Sequence, residues 1–183
     1  MDEQLMKAIE TKRLLLRDLV WSDLRAVHEY ASDPDVVRFV RWGPNTEAET
    51  RGFIERSISA QNEKPRRDFD FAIALKNTGK LIGCCGIHVS NPENREGWIG
   101  YCLNGNFWGK GYATESAQEL VKFGFEKLNL HRILANCDPE NLASARVLEK
   151  SGMKKEGHLR EHAWSKGKWR DSDIYAILEQ DRK

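Results

Sequence analysis

Five prolines and four cysteines are all that 183 residues contain of either type. There is no Pro-rich or Ser-rich linker, no internal repeat and no low-complexity tract, so a single domain over residues 1–183 is expected. No apolar run approaches the roughly 20 residues that a membrane helix needs. Met1-Asp2-Glu3-Gln4 shows no secretory-leader pattern, so a cytoplasmic location without membrane contact is expected. Charge of one sign is also missing. With 29 basic and 28 acidic residues the net charge is +1, which gives nucleic acid no general field to follow and leaves partners to local sites. Cys84, Cys85, Cys102 and Cys137 make no Cys-x-x-Cys pair and fall in strand-like segments. That argues for reduced, buried thiols. His158 and His162 are four apart, which on a strand puts both on one face; without a third ligand no metal site is expected.

What is present is patterning. Arg13 to Leu19 reads as a strand, Trp21-Ser22-Asp23 as the cap of a helix carrying Leu24, Val27 and Ala31, and Thr46 with Glu49 as the capping box of a second helix reaching about Ile58. Asp68 to Leu75 alternates with Phe69, Phe71, Ile73 and Leu75 on one face. Asn77 to Lys80 turns it into a strand over 81–89, and Glu96 to Leu103 returns beyond the loop at Asn91 to Asn94. A helix is predicted from Tyr112 to Lys127, a strand from Arg132 to Cys137, and a short helix from Asn141 to Lys150 stopped at Ser151-Gly152. Two last strands lie near His158 to Trp164 and Ser172 to Leu178. This order describes an α/β fold with a mixed sheet.

The stretch with the clearest chemistry runs from Trp98 to Thr114. An apolar strand enters a Gly/Asn turn, and Gly109 and Gly111 then open a helix. Glycines let backbone N–H groups approach a ligand closely, and the helix start adds unpaired donors and a positive dipole end, which together suit a phosphate or pyrophosphate. A dinucleotide fingerprint fits less well, because Thr114 stands where the third glycine belongs and no βαβ repeat surrounds it.

These residues resemble the coenzyme A loop of the GNAT acetyltransferase superfamily, Gln/Arg-x-x-Gly-x-Gly/Ala, with Asn106 in the place of Gln or Arg. Ile99-Gly100-Tyr101 before the loop and Tyr112-Ala113-Thr114-Glu115 after it are similar to the RimJ/RimL-like branch, the ribosomal-protein N-terminal acetyltransferases. So are Asn141 to Ser144, Leu148 to Met153, Glu156 to Glu161 and Gly167 to Asp171, and the likeness extends from Thr11 to Tyr175. The resemblance implies an α/β fold of α+β type, with a mostly antiparallel mixed sheet, a splayed central strand pair and flanking helices. It also implies acetyl-CoA as co-substrate, no metal, and direct attack by a primary amine in a ternary complex.

On that pattern the pantetheine arm would pair with Tyr101, Cys102 and Leu103, with a bulge at Gly100. The pyrophosphate would rest on Trp108, Gly109, Lys110, Gly111, Tyr112, Ala113 and Thr114, Lys110 itself reading more as a solvated loop residue. Asn141 would cap its helix or hold the pantetheine. The family's usual tyrosine falls on Leu148, which leaves Ser144 as hydrogen-bond donor to the leaving thiolate. The usual glutamate falls on Trp98, which leaves Glu96 and Glu161 as candidate bases. Phe39 and Trp42 lie where the family covers the acceptor cleft, although an apolar residue there reads first as core. The acceptor would be a protein α-amine or a small-molecule amine such as an antibiotic or polyamine, the protein a monomer or homodimer. A non-catalytic acyl-CoA-binding module is the reading from another class.

Overall fold

In the computed structural model, which describes residues 8–182, the strands are β1 (Ile9–Glu10), β2 (Leu14–Asp18), β3 (Asp68–Leu75), β4 (Leu81–Asn91), β5 (Glu96–Leu103), β6 (Arg132–Cys137), β7 (Lys154–Ser165) and β8 (Lys168–Leu178). The helices are α1 (Leu24–Ala31), α2 (Glu47–Ala60), α3 (Tyr112–Glu126) and α4 (Leu142–Lys150). Met1 to Gln4, read above as free of a leader pattern, lie outside the described residues. All eight strands form one sheet in the order β1-β2-β3-β4-β5-β6-β8-β7. Every pairing is antiparallel except β5 with β6.

The two faces of the sheet bury different residues, as period-2 alternation requires. Phe69, Phe71, Cys85, Ile87 and Ile99 pack with Leu120 and Phe123 of α3. The Phe69 and Phe123 rings meet edge to face at 5.4 Å. On the opposite face Ala72 and Cys84 pack with Val27 and Tyr30 of α1 and Ile54 of α2. Each such fully buried large side chain contributes about 1.5–3 kcal/mol. Phe53 and Ile58 pack only partly buried against that second cluster.

The central pair separates. β5 pairs with β4 along its whole length, but with β6 only where Glu96, Gly97 and Trp98 face Arg132, Ile133 and Leu134. From Ile99 to Leu103 the β6 side of β5 is open. The expected bulge at Gly100 is absent, because Gly100 faces Gly86 in unbroken register and the irregularity lies at Val89/Asn91. Asp23 also departs from expectation. Its carboxylate makes a two-pronged pair with Arg17 at 2.7 Å and accepts the Val20 N–H at 3.0 Å, so it anchors the turn instead of capping α1. A bulge between Leu159 and Ala163, with Glu161 at φ +48°, breaks the alternation of β7 and separates His158 from His162. His158 joins Asp171 and Asp173, whereas His162 meets Arg41.

Candidate active site

The gap between β5 and β6 opens into a cleft of about 1740 Å³. At one end lies the glycine loop. Gly109 and Gly111 have φ of +73° and +79°, values that L side chains rarely adopt, and Gly111 is the N-cap of α3. The first helical bond runs from Glu115 N–H to the Gly111 carbonyl at 3.1 Å. The amides of Tyr112, Ala113 and Thr114 precede it, and these residues line the cleft together with Trp108, Gly109 and Gly111. Lys110 folds its Nζ back onto the Asn106 carbonyl at 2.9 Å.

Arg13, read from the sequence only as the start of a strand, clamps this loop from the residue before β2. Its guanidinium donates to Glu115 at 2.7 Å and to the Lys110 carbonyl at 2.9 Å, and lies 4.5 Å from the Tyr112 ring centre. Burial works to raise the Glu115 pKa, but hydrogen bonds from Thr11 and Arg13 and the guanidinium charge outweigh it and hold the carboxyl below its ordinary range. A firmly ionised carboxylate in the first turn also suits the dipole of α3.

Along the gap, hydrogen-bond alternation decides which backbone groups are open. Asn104 N–H donates to the Ile82 carbonyl at 2.9 Å, so alternation directs the Cys102 backbone to β4 and those of Tyr101 and Leu103 into the gap. The Leu103 carbonyl accepts the Trp108 indole N–H at 2.9 Å. Within the expected trio, Tyr101 and the Leu103 N–H therefore offer a pairing edge, while Cys102 lines the cleft as a side chain on the α1/α2 face.

Asn141 caps α4, its side chain accepting the Ser144 N–H at 3.1 Å. Ser144 Oγ lies 2.9 Å from the Tyr101 hydroxyl. Burial pushes the Tyr101 pKa up, and the Ser144 hydrogen bond only partly offsets this. Leu148 is fully buried core. Burial also pushes the thiols of Cys102 and Cys137 up, to about 12 and about 11, so neither is a thiolate nucleophile at neutral pH. Together with Cys84 and Cys85 they are free cysteines.

The two expected bases stand away from this cleft. Glu96 faces Arg132 at 3.7 Å, and Glu161 is exposed on the β7 bulge, its N–H donating to Asp171 at 2.8 Å. Neither lines the cleft. Phe39 and Trp42, read first as core, do line it. On the α1/α2 face of β4 and β5 the cleft floor carries a group that sequence reading missed. His88 Nδ1 lies 2.8 Å from Asp68 and Nε2 lies 3.4 Å from Asp70, while the imidazole stacks on Trp98 at 4.2 Å. The signal was available: Asp68 and Asp70 alternate with Phe69 and Phe71, which puts two carboxylates on the face that the phenylalanines leave.

A splayed strand pair ending on a glycine-opened helix bounds one end of the cleft, and α1, α2 and the segment between them line another wall. A family model described as acetyltransferase (GNAT) domain matches residues 13–154, and the chain belongs to that family. It is 38% identical to the Bacillus subtilis protein named uncharacterized N-acetyltransferase YnaD, over 94% of this chain and 98% of that one. A crystal structure of a GNAT-family acetyltransferase from Bacillus anthracis superposes with a TM-score of 0.84 at 38% identity, covering 94% of this chain and 99% of the other. RimL, a ribosomal L7/L12 α-N-protein acetyltransferase solved with coenzyme A, shares the fold at a TM-score of 0.84 and 22% identity, covering 96% and 98%.

Proposed function

We propose that the protein transfers the acetyl group of acetyl-CoA to a peptide or protein α-amine by direct attack in a ternary complex. The observation that carries this reading is the open edge of β5 leading straight to the amides of Tyr112 to Thr114. A pantetheine arm paired along Tyr101 and Leu103 would bring its thioester to the Tyr101–Ser144 hydroxyls, with the diphosphate on the helix start. Coenzyme A in the RimL structure supports the donor. Tyr101 and Ser144 would donate hydrogen bonds to the sulfur as the C–S bond breaks. With its pKa raised, the phenol keeps its proton at every working pH and stabilises the thiolate as a donor.

Two observations favour an α-amine over a polyamine. Arg38, Arg41 and Arg56 line the cleft without a carboxylate partner among the described residues and supply donors that suit peptide carbonyls, beside the carboxylates of Asp35, Glu49 and Asp70. An α-amine, with an ordinary pKa of about 7.7–8.0, also lies within reach of a side-chain base at physiological pH, which a polyamine nitrogen does not. The test is thiol release from acetyl-CoA with free peptides, the same peptides blocked at the N-terminus, and spermidine. Turnover with the free peptides alone is expected. Turnover confined to spermidine would overturn the acceptor class, and no release with any amine would leave only a binding module.

A further inference from the structure

We propose that His88 is the general base for the incoming amine and that Asp70 holds the ammonium beside it, an assignment that rests on the acetyl-transfer reading above. Asp68 lies 2.8 Å from His88 Nδ1 and accepts its proton in the neutral tautomer that the proposal requires, the one with a lone pair on Nε2. That lone pair faces Asp70 Oδ1 at 3.4 Å. In that tautomer a lone pair and a carboxylate face each other, and a donor between them relieves the repulsion. An ammonium, with three N–H groups and no lone pair, satisfies both at once.

The surroundings keep this space open and the groups fixed. A Cβ on Gly86 would come within 2.8 Å of both Asp70 Oδ1 and His88 Nε2, so only glycine leaves the two groups as they are. Ser57 of α2 donates to the other Asp70 oxygen at 2.9 Å. Trp98 occupies the strand position where the resembled pattern has its glutamate, and its ring stacks 21° from parallel on the imidazole. The base has thus moved from β5 to the neighbouring strand, with the indole fixing its plane. Asp70, Gly86, His88 and Trp98 all line the cleft, on the sheet face opposite the Tyr101–Ser144 pair. Donor and acceptor chemistry consequently fall on the two faces of β5.

In the step itself one ammonium N–H bond breaks and its proton forms a bond to Nε2. The freed lone pair attacks the acetyl carbon, the C–N bond forms and the C–S bond breaks with its electron pair going to sulfur. A second N–H proton, acidic once nitrogen is bonded to the acyl carbon, ends on the thiolate. The imidazolium then loses its Nε2 proton to water entering the cleft, while Asp68 keeps the Nδ1 proton in place and so restores the starting tautomer. The charged groups facing the imidazole are Asp68 and Asp70 of β3; β5 turns the uncharged Trp98 to it, and α2 supplies Ser57 to Asp70 and Arg56 to the cleft wall.

The test is His88→Gln and Asp68→Asn, assayed against pH with the amine that the wild type acetylates, beside calorimetric acetyl-CoA binding. His88→Gln should lower kcat/KM by about 10²–10³-fold and abolish the acid limb of its profile, with the acetyl-CoA Kd within about twofold. Asp68→Asn removes the acceptor that holds the Nδ1 proton and should lower kcat/KM by about tenfold with the acetyl-CoA Kd unchanged. A His88→Gln variant that keeps kcat/KM within about threefold overturns the assignment. So does a loss with the acid limb unmoved, which is what a merely structural residue would give. Failure of the wild type itself to release thiol with any amine strikes the transfer reading first, so the two failures are told apart.

Discussion

The Tyr101 hydroxyl and Ser144 Oγ, one from the central strand and one from the helix across the gap, lie 2.9 Å apart, and Tyr101 also donates to the Ser144 carbonyl at 3.2 Å. Leu148, at the α4 position where the resembled pattern has its thiolate partner, is buried here, and the partner proposed above is the Tyr101 phenol beside Ser144. Tyr101→Phe keeps the ring that packs against the α3 face and removes only the donor. It should lower kcat by about 10²-fold with little change in the Kd for acetyl-CoA, as expected for a contact made mainly as charge develops on sulfur. Because the two hydroxyls share one hydrogen bond, Ser144→Ala should cost less alone, and the double variant should fall short of the product of the two effects. An unchanged kcat in Tyr101→Phe would remove the pair from the reaction.

Gly111→Val tests the anion loop. The native φ of +79° is one that a β-branched residue does not adopt, and an added side chain would meet Arg13 Nη2 at 3.4 Å, the group that holds the loop in place. Strain of this kind costs about 1–3 kcal/mol. The acetyl-CoA Kd, measured by calorimetry, should rise by about tenfold or more while the thermal midpoint falls by a few degrees. A fall in stability with unchanged coenzyme binding would show that the glycine serves the turn alone.

β3, β5 and β6 were legible from the sequence to the residue, because apolar side chains recur along them at every second position. β7 was not: nearly all of Lys154–Ser165 is exposed on both faces, so selection for burial left no period-2 pattern and only its middle was anticipated. β1, two residues long, is too short to carry a pattern at all. The glycine loop was legible because its function lies in backbone geometry, which glycine advertises. Side-chain chemistry was less so. Glu96 was chosen for its strand face and Glu161 for its strand's expected place near the cleft, yet one is turned to Arg132 across the single parallel pairing and the other lies exposed on a bulge. His88 needed three strands in register to bring Asp68, Asp70 and Trp98 around it.

The capping box of α2 offers a prediction about the fold alone. The Thr46 hydroxyl accepts the Glu49 N–H at 3.3 Å, and Glu49 returns a carboxylate to the Thr46 N–H at 2.7 Å. Thr46→Ala breaks the first bond and loosens the second, which should cost about 1 kcal/mol in urea unfolding and about 2–4 °C in Tm. α2 carries Ser57 and Arg56 to the acceptor wall, so turnover near the midpoint should fall before coenzyme binding does. An unaltered urea midpoint would mean that packing of Ile54 alone holds the helix start.

Glu115 ties stability to pH and to the loop. It accepts from Thr11 Oγ1 at 2.5 Å, from Arg13 N–H at 2.8 Å and from the Arg13 guanidinium at 2.7 Å, and its folded pKa is held below the ordinary value. For a carboxylate whose folded pKa is depressed, the stabilisation is present above the unfolded pKa of about 4.3 and is lost as pH falls through the folded value. The wild type should therefore lose stability on acidification below about pH 4.3 more steeply than Glu115→Gln, which has no proton to take up at that position. At neutral pH the amide of the variant still accepts from Thr11 but leaves the Arg13 charge unpaired, which frees the guanidinium that also holds the Lys110 carbonyl at 2.9 Å. The variant should consequently bind acetyl-CoA several-fold more weakly at pH 7. Urea midpoints followed from pH 3 to pH 7, with calorimetry at pH 7, check both halves: parallel pH slopes in the two proteins would refute the linkage, and equal Kd values would show that Arg13 positions the loop without its carboxylate.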